Sequence, residues 1–124
     1  MTRSEQIRMF VLDVIADDYE EIEHITERVE KWSGVCKLEI TRDEIVQALI
    51  TLTHEDCARA YHLTGTPGHK PEEIKVVLSP DQIQLRDPYF LITDKGVEEI
   101  NRPDDGWPFD DEGLLRKEWV PPEG

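Results

Sequence analysis

Apolar residues recur at helical spacing through the first half of the chain and gather into strand-like runs in the second. Ile7, Phe10, Val11, Val14 and Ile15 fall on one side of a helical wheel, which predicts a helix to about Ala16 capped by Ser4 or Thr2. Asp17 and Asp18 interrupt that pattern and are placed to cap a second helix. In it Tyr19, Ile22, Ile25, Val29 and Trp32 repeat at intervals of three and four, and Ser33-Gly34 makes a stop. Val35 to Ile40 alternates weakly and reads as a short extended segment. Thr41, with Glu44 three residues on, forms a capping box for a third helix, 41–54, whose buried face is Ile45, Ala48, Leu49 and Leu52.

Two strand-like runs follow, Ala58 to Leu63 and Tyr89 to Thr93. The segment between them, 64–88, is long for a hairpin connection. Pro67, Gly68, Pro71 and Pro80 punctuate it, and Ile74 to Leu78 is expected to form a short element of its own. Asp94 to Ile100 continues from the second strand through a Thr-x-x-Gly turn. The break from Arg102 to Pro108 divides the chain into a domain, 1–102, and an acidic, Trp-containing tail, 103–124.

Charge complicates the picture. The formal net charge is -14, unevenly spread. Residues 1–34 hold four cations against nine acids, residues 35–93 six against nine, and residues 94–124 four against ten. An acidic surface forfeits the phosphate attraction that supplies most non-specific nucleic-acid affinity. The N-terminus goes straight into an amphipathic pattern without a secretory h-region, and no apolar run approaches the ~18 residues of a membrane span. Cys36 and Cys57 are expected to be reduced and buried. The expected location is therefore cytoplasmic, with no membrane partner.

On these elements and their spacing, residues ~7–100 resemble the winged helix-turn-helix superfamily, most closely its small PadR- and MarR-type regulators. Phe90-Leu-Ile-Thr-Asp-Lys-Gly-Val-Glu-Glu-Ile100 is similar to the end of the wing in those families, where the second wing strand runs into a helix that often builds the dimer. Arg42 to Leu49 resembles the start of their recognition helix. The chain is also similar to small bacterial winged-helix proteins with a Tyr-Phe-x-Ile-Thr wing and an acidic, Trp-containing tail. The resemblance implies an α+β fold with a three-helix core and a small antiparallel β wing, and a dimeric DNA-binding, transcription-regulator-type role. Arg42, Gln47, Thr51, His54, Arg59, His62, His69, Lys70 and Lys75 are the residues placed to meet nucleic acid.

Two features depart from the DNA-reading pattern. The outward side of the third helix shows Asp43, Gln47, Ile50, Thr51 and His54, without Lys or Arg. Gln47 and Thr51 can read base edges, but Asp43, Glu44, Glu55 and Asp56 would meet phosphates. The expected wing is close to neutral: Lys70, Lys75 and Arg86 stand against Glu72, Glu73, Asp81 and Asp87.

Other chemistry is sparse. Cys36, Cys57, His24, His54, His62 and His69 lack metal-ligand spacing, and His54-Glu-Asp-Cys-Ala58 misses the zinc-protease pattern because Ala58 stands at the second histidine position. The adjacent acid pairs read as helix starts and solvated tail, so neither catalysis nor a cofactor is expected.

Surplus apolar surface carries more information. Met9, Leu12 and Ala16 form a second stripe on the first helix, and Val46 and Ile50 flank the core face of the third. Such a face needs a cover. A second copy or another protein can supply it, or the tail can, through Trp107, Phe109, Leu114, Leu115 and Trp119. A sharper form has the tail lying over the third helix. Two functions follow: a DNA-binding regulator domain, or a winged-helix protein-interaction module without DNA binding, working through Met9, Leu12, Ile50, Trp107, Phe109 and Trp119.

Overall fold

The structure, a computed structural model, describes residues 2–63, 67–68, 70–75, 78–101, 107–110 and 112–122, and only the backbone of Arg86. Among these residues the architecture is α+β, with five helices and one four-stranded antiparallel sheet. None of these helices is long and apolar enough to cross a membrane.

Helix α1, Arg3–Val14, is capped by Thr2, whose hydroxyl accepts from the Glu5 N–H at 3.1 Å. Ile7, Phe10, Val11 and Ile15 are buried, and so is Leu12. The second stripe expected to seek a cover is thus part of the core at Leu12, because α1 is packed against α2, α3 and α5 at once.

Asp17 and Asp18 do not cap the next helix. The chain first makes a two-residue strand, β1, Glu20–Glu21, and α2, Ile22–Val35, starts from Glu21 with no side-chain cap. The extended segment expected at Val35 to Ile40 is absent. The chain turns through Lys37 at φ 58°, while Leu38 and Ile40 are both buried. Alternating burial there reflects a turn that drops two side chains into the core.

Helix α3, Arg42–His54, has the full capping box: Thr41 Oγ1 accepts from the Glu44 N–H, and Glu44 Oε1 accepts from the Thr41 N–H at 3.0 Å. Ile45, Leu49 and Leu52 are fully buried. The expected strands form as β2, Ala58–His62, and β4, Tyr89–Ile92. They pair antiparallel, with Ala60 opposite Phe90. Burial alternates along β2, Ala58 and Ala60 facing the core while Arg59 and His62 face solvent.

The connection between them is more than a loop. It contains β3, Glu72–Ile74, on the outer side of β2, and α4, Pro80–Arg86. Ser79 and Gln82 make a second capping box with Pro80 at the helix start, and Leu78 and Ile83 are buried. The sheet order is β1-β4-β2-β3.

A final helix, α5, Asp94–Ile100, gives the Thr-x-x-Gly turn its physical meaning. Thr93 Oγ1 accepts from the Gly96 N–H at 3.2 Å and donates to the Asp56 carbonyl at 2.6 Å, while the Thr93 N–H donates to the Cys57 carbonyl at 3.1 Å. A Cβ at position 96 would overlap the Cys57 carbonyl oxygen and lie 2.6 Å from Ile92 Cγ1. Only glycine lets α5 sit this close to the end of α3.

Candidate functional site

The outward face of α3 is a polar ridge. Asp43, Gln47, Thr51 and His54 are exposed, and Ile50 is half-buried. A groove runs along each flank. The one beside α1, about 620 Å³, is lined by Arg3, Ile7, Arg8, Gln47, Ala48 and Thr51, among others. The other lies between the C-terminal half of α3 and β2–β3 and encloses about 280 Å³. Ile50, Ala58, Ile74 and Leu78 are its apolar lining, and His54, Asp56, Arg59, Glu73 and Lys75 supply its charge and polarity.

Both grooves contain arginines, and each arginine is engaged by carboxylates. Arg3 Nη2 lies 3.0 Å from Glu44 Oε1 and also donates to the Glu39 carbonyl. Arg8 reaches Glu99 at 2.7 Å and Glu55 at 2.8 Å, so one guanidinium joins α1, the end of α3 and α5. Arg42 pairs with Glu23 at 2.6 Å. Arg59 Nε sits between Asp56 at 3.4 Å and Glu73 at 3.3 Å. The hydrogen bond from Arg3 and its positive charge hold the Glu44 carboxyl below the usual range. The same kind of pairing raises the arginines further above theirs, Glu99 acting most strongly on Arg8 and Asp56 on Arg59. The pairs of Arg42 and Arg59 are exposed and weakened by solvent, whereas Arg8 with Glu99 is partly buried. A carboxylate displaced from any of these pairs would remain beside an incoming anion.

The residues singled out for nucleic acid are therefore divided. Gln47 and Thr51 share the α1–α3 groove, and His54, Arg59 and Lys75 share the smaller one. Arg42 stands at the start of α3, tied to Glu23. His62 is exposed opposite Glu72 in the β2–β3 ladder, Lys70 is exposed, and His69 lies outside the described residues. Sequence reasoning missed Arg3 and Arg8, because α1 was read for its apolar stripe alone. Their spacing of five residues puts them about 140° apart around the helix, so no same-face pattern marked them, and their carboxylate partners are remote in sequence.

The protein-contact candidates are mostly occupied within the chain. Trp107 packs edge-on against Phe10 and Trp32, each with ring centroids 5.5 Å apart, and against Phe109 at 5.9 Å. Phe109 and Leu12 are buried, so neither is a surface contact residue, and Trp119 is half-buried against the core. Met9 is half-buried as well. These ring contacts lie on α1 and α2, which corrects the expectation of a tail lying over α3. Leu114, Leu115 and Val120 point to solvent instead.

The two thiols are buried and chemically quiet. Burial pushes Cys36 up and its Sγ lies 2.9 Å from the Trp32 carbonyl; burial, then the Glu99 charge, pushes up Cys57. Among the described residues no three His, Cys, Asp or Glu side chains are grouped to hold a metal ion. No protein family, curated protein or solved structure matches the chain.

Proposed function

We propose that this chain is a non-enzymatic winged-helix protein that works through protein contacts rather than by reading duplex DNA. The winged-helix part of the reading is supported by element order: helix, short strand, two helices, then antiparallel strands, with β1 pairing on β4. On that reading β3 and α4 are an insertion in the wing, and α3 is the helix that a DNA-binding relative would present. The observation that carries the functional part is the pairing of Arg3, Arg8, Arg42 and Arg59 with carboxylates around α3, on a molecule of net charge -14. Duplex binding draws its sequence-independent affinity from cations free to replace counterions.

The test is a titration against a fluorescent mixed-sequence duplex at about 50 mM and 200 mM salt. The expected result is no saturable binding at the lower salt. Binding that weakens steeply between the two would overturn the reading and favour a dimeric DNA-binding regulator. In that second reading Gln47 and Thr51, exposed on one side of α3, meet base edges, while Arg42, Arg59, Lys70 and Lys75 exchange acids for phosphates.

A further inference from the structure

We propose that the described residues 107–110 and 112–119 form an autoinhibitory strap on an aromatic docking face of α1 and α2. That face fits a basic segment carrying aromatic anchors, and such a segment displaces the strap. The proposal rests on the reading of the chain as a protein-interaction module and names the surface and the chemistry of the partner.

The strap is a self-contained hairpin. Asp110 N–H donates to the Leu114 carbonyl at 2.8 Å, and Arg116 N–H donates to the Pro108 carbonyl at 2.8 Å. Asp110 Oδ1 accepts from the Glu112 and Leu114 N–H groups, each at 2.9 Å. Among the described residues, every hydrogen bond of segment 107–122 is internal, and it takes part in no ion pair. Ring packing through Trp107 and Phe109, with the half-buried Trp119, holds it to the domain. Such a piece can lift away as a unit without stranding backbone donors or acceptors, which would otherwise bar its release.

Charge opposes the closed arrangement. Residues 103–124 hold seven acids and two cations, so -5 of the total -14 resides there and -9 in residues 1–102. The helices beneath carry exposed Glu5, Asp13, Glu27 and Glu30, against Arg28 and Lys31, while Glu23 is paired with Arg42. Arg28 lies over the Trp32 ring at 5.3 Å. The rings thus favour closure while the net charges on either side disfavour it. A basic segment with the same anchors keeps the ring contacts and reverses the sign of the charge term. The strap holds its place because attachment to the same chain gives it a high effective concentration.

The experiment uses fluorescein-labelled peptides titrated by anisotropy against the full chain and its Trp107→Ala variant at about 50 mM salt. One peptide has the sequence of 107–119, and a second has lysine in place of Asp111, Glu112 and Glu118. The charge-reversed peptide should bind the variant about tenfold or more tighter than the unaltered chain, because the strap no longer competes. The native-sequence peptide should bind more weakly to both. Equal affinity for the two chains, or no saturable binding to either, overturns the proposal. So does equal binding by a charge-reversed peptide whose Trp107, Phe109 and Trp119 positions are alanine, which would reduce the effect to bulk charge.

A second measurement needs no substitution. A Glu-specific protease should cut the unaltered chain faster at Glu112 and Glu118 when the charge-reversed peptide, which contains no glutamate, is saturating. Unchanged cleavage at those two sites overturns the strap. Duplex binding together with no peptide binding removes both this proposal and the reading beneath it; neither kind of binding removes the strap alone.

Discussion

Gly96 is the residue on which the junction of α3 and α5 depends. Asp56 turns the chain at φ 64°, a left-handed conformation that aspartate tolerates better than most residues, and leaves its own carbonyl and that of Cys57 facing Thr93. The threonine bonds to both carbonyls, and the missing side chain at position 96 permits the approach. Gly96→Ala should destabilise the protein by about 1–3 kcal/mol, since the obstacle is backbone and cannot rotate away. That corresponds to a fall of roughly 5 °C or more in the melting temperature followed by circular dichroism. An unchanged melt would mean that α5 does not sit this close. The Thr-x-x-Gly phrase was legible in the sequence, but its reason was not: the group that demands glycine belongs to Cys57, far back along the chain.

At the scale of elements, legibility followed the strength of local signals. Thr41 and Glu44 announced α3, and the capping box is present. Ser79 and Gln82 announced α4 by the same rule, but Pro80 was taken as loop punctuation when it marks the first turn of a helix. Strand β1 had no signal, because two glutamates paired on Tyr89 and Phe90 show no apolar alternation. The α3 capping box also carries a pH dependence. The Glu44 carboxyl, held low by Arg3, stabilises the fold above the ordinary carboxylate pKa, and that contribution fades as pH falls through the lowered folded value. Glu44→Gln keeps an acceptor for the Thr41 N–H but loses the charge facing Arg3. The variant should lose at most about 1 kcal/mol at pH 7, the partly exposed pair being screened by solvent. Its difference from the parent should shrink as denaturant midpoints are measured from pH 6 toward pH 3. A gap that stays constant with pH would assign the loss to the cap instead of the ion pair.

At the scale of the whole molecule, repulsion within a net charge of -14 is spread over the surface, whereas the ion pairs that oppose it are few and local. Salt screens the diffuse term over a Debye length of about 10 Å at 0.1 M, so the melting temperature should rise on going from low to moderate salt. A fall would show that the ion pairs outweigh the repulsion. Composition made the acidity plain, but which cations it neutralises depends on distant partners: Arg8 meets Glu99, 91 positions along, and Arg42 meets Glu23, 19 away. The same remoteness has a consequence during synthesis. Phe10 is made 97 residues ahead of Trp107, which closes over it. At roughly 5–20 residues per second, a nascent chain leaves that ring without its cover for roughly 5–20 s. Through that interval the aromatic side of the first helix stays bare, and it is buried only when the last stretch of the domain has been made.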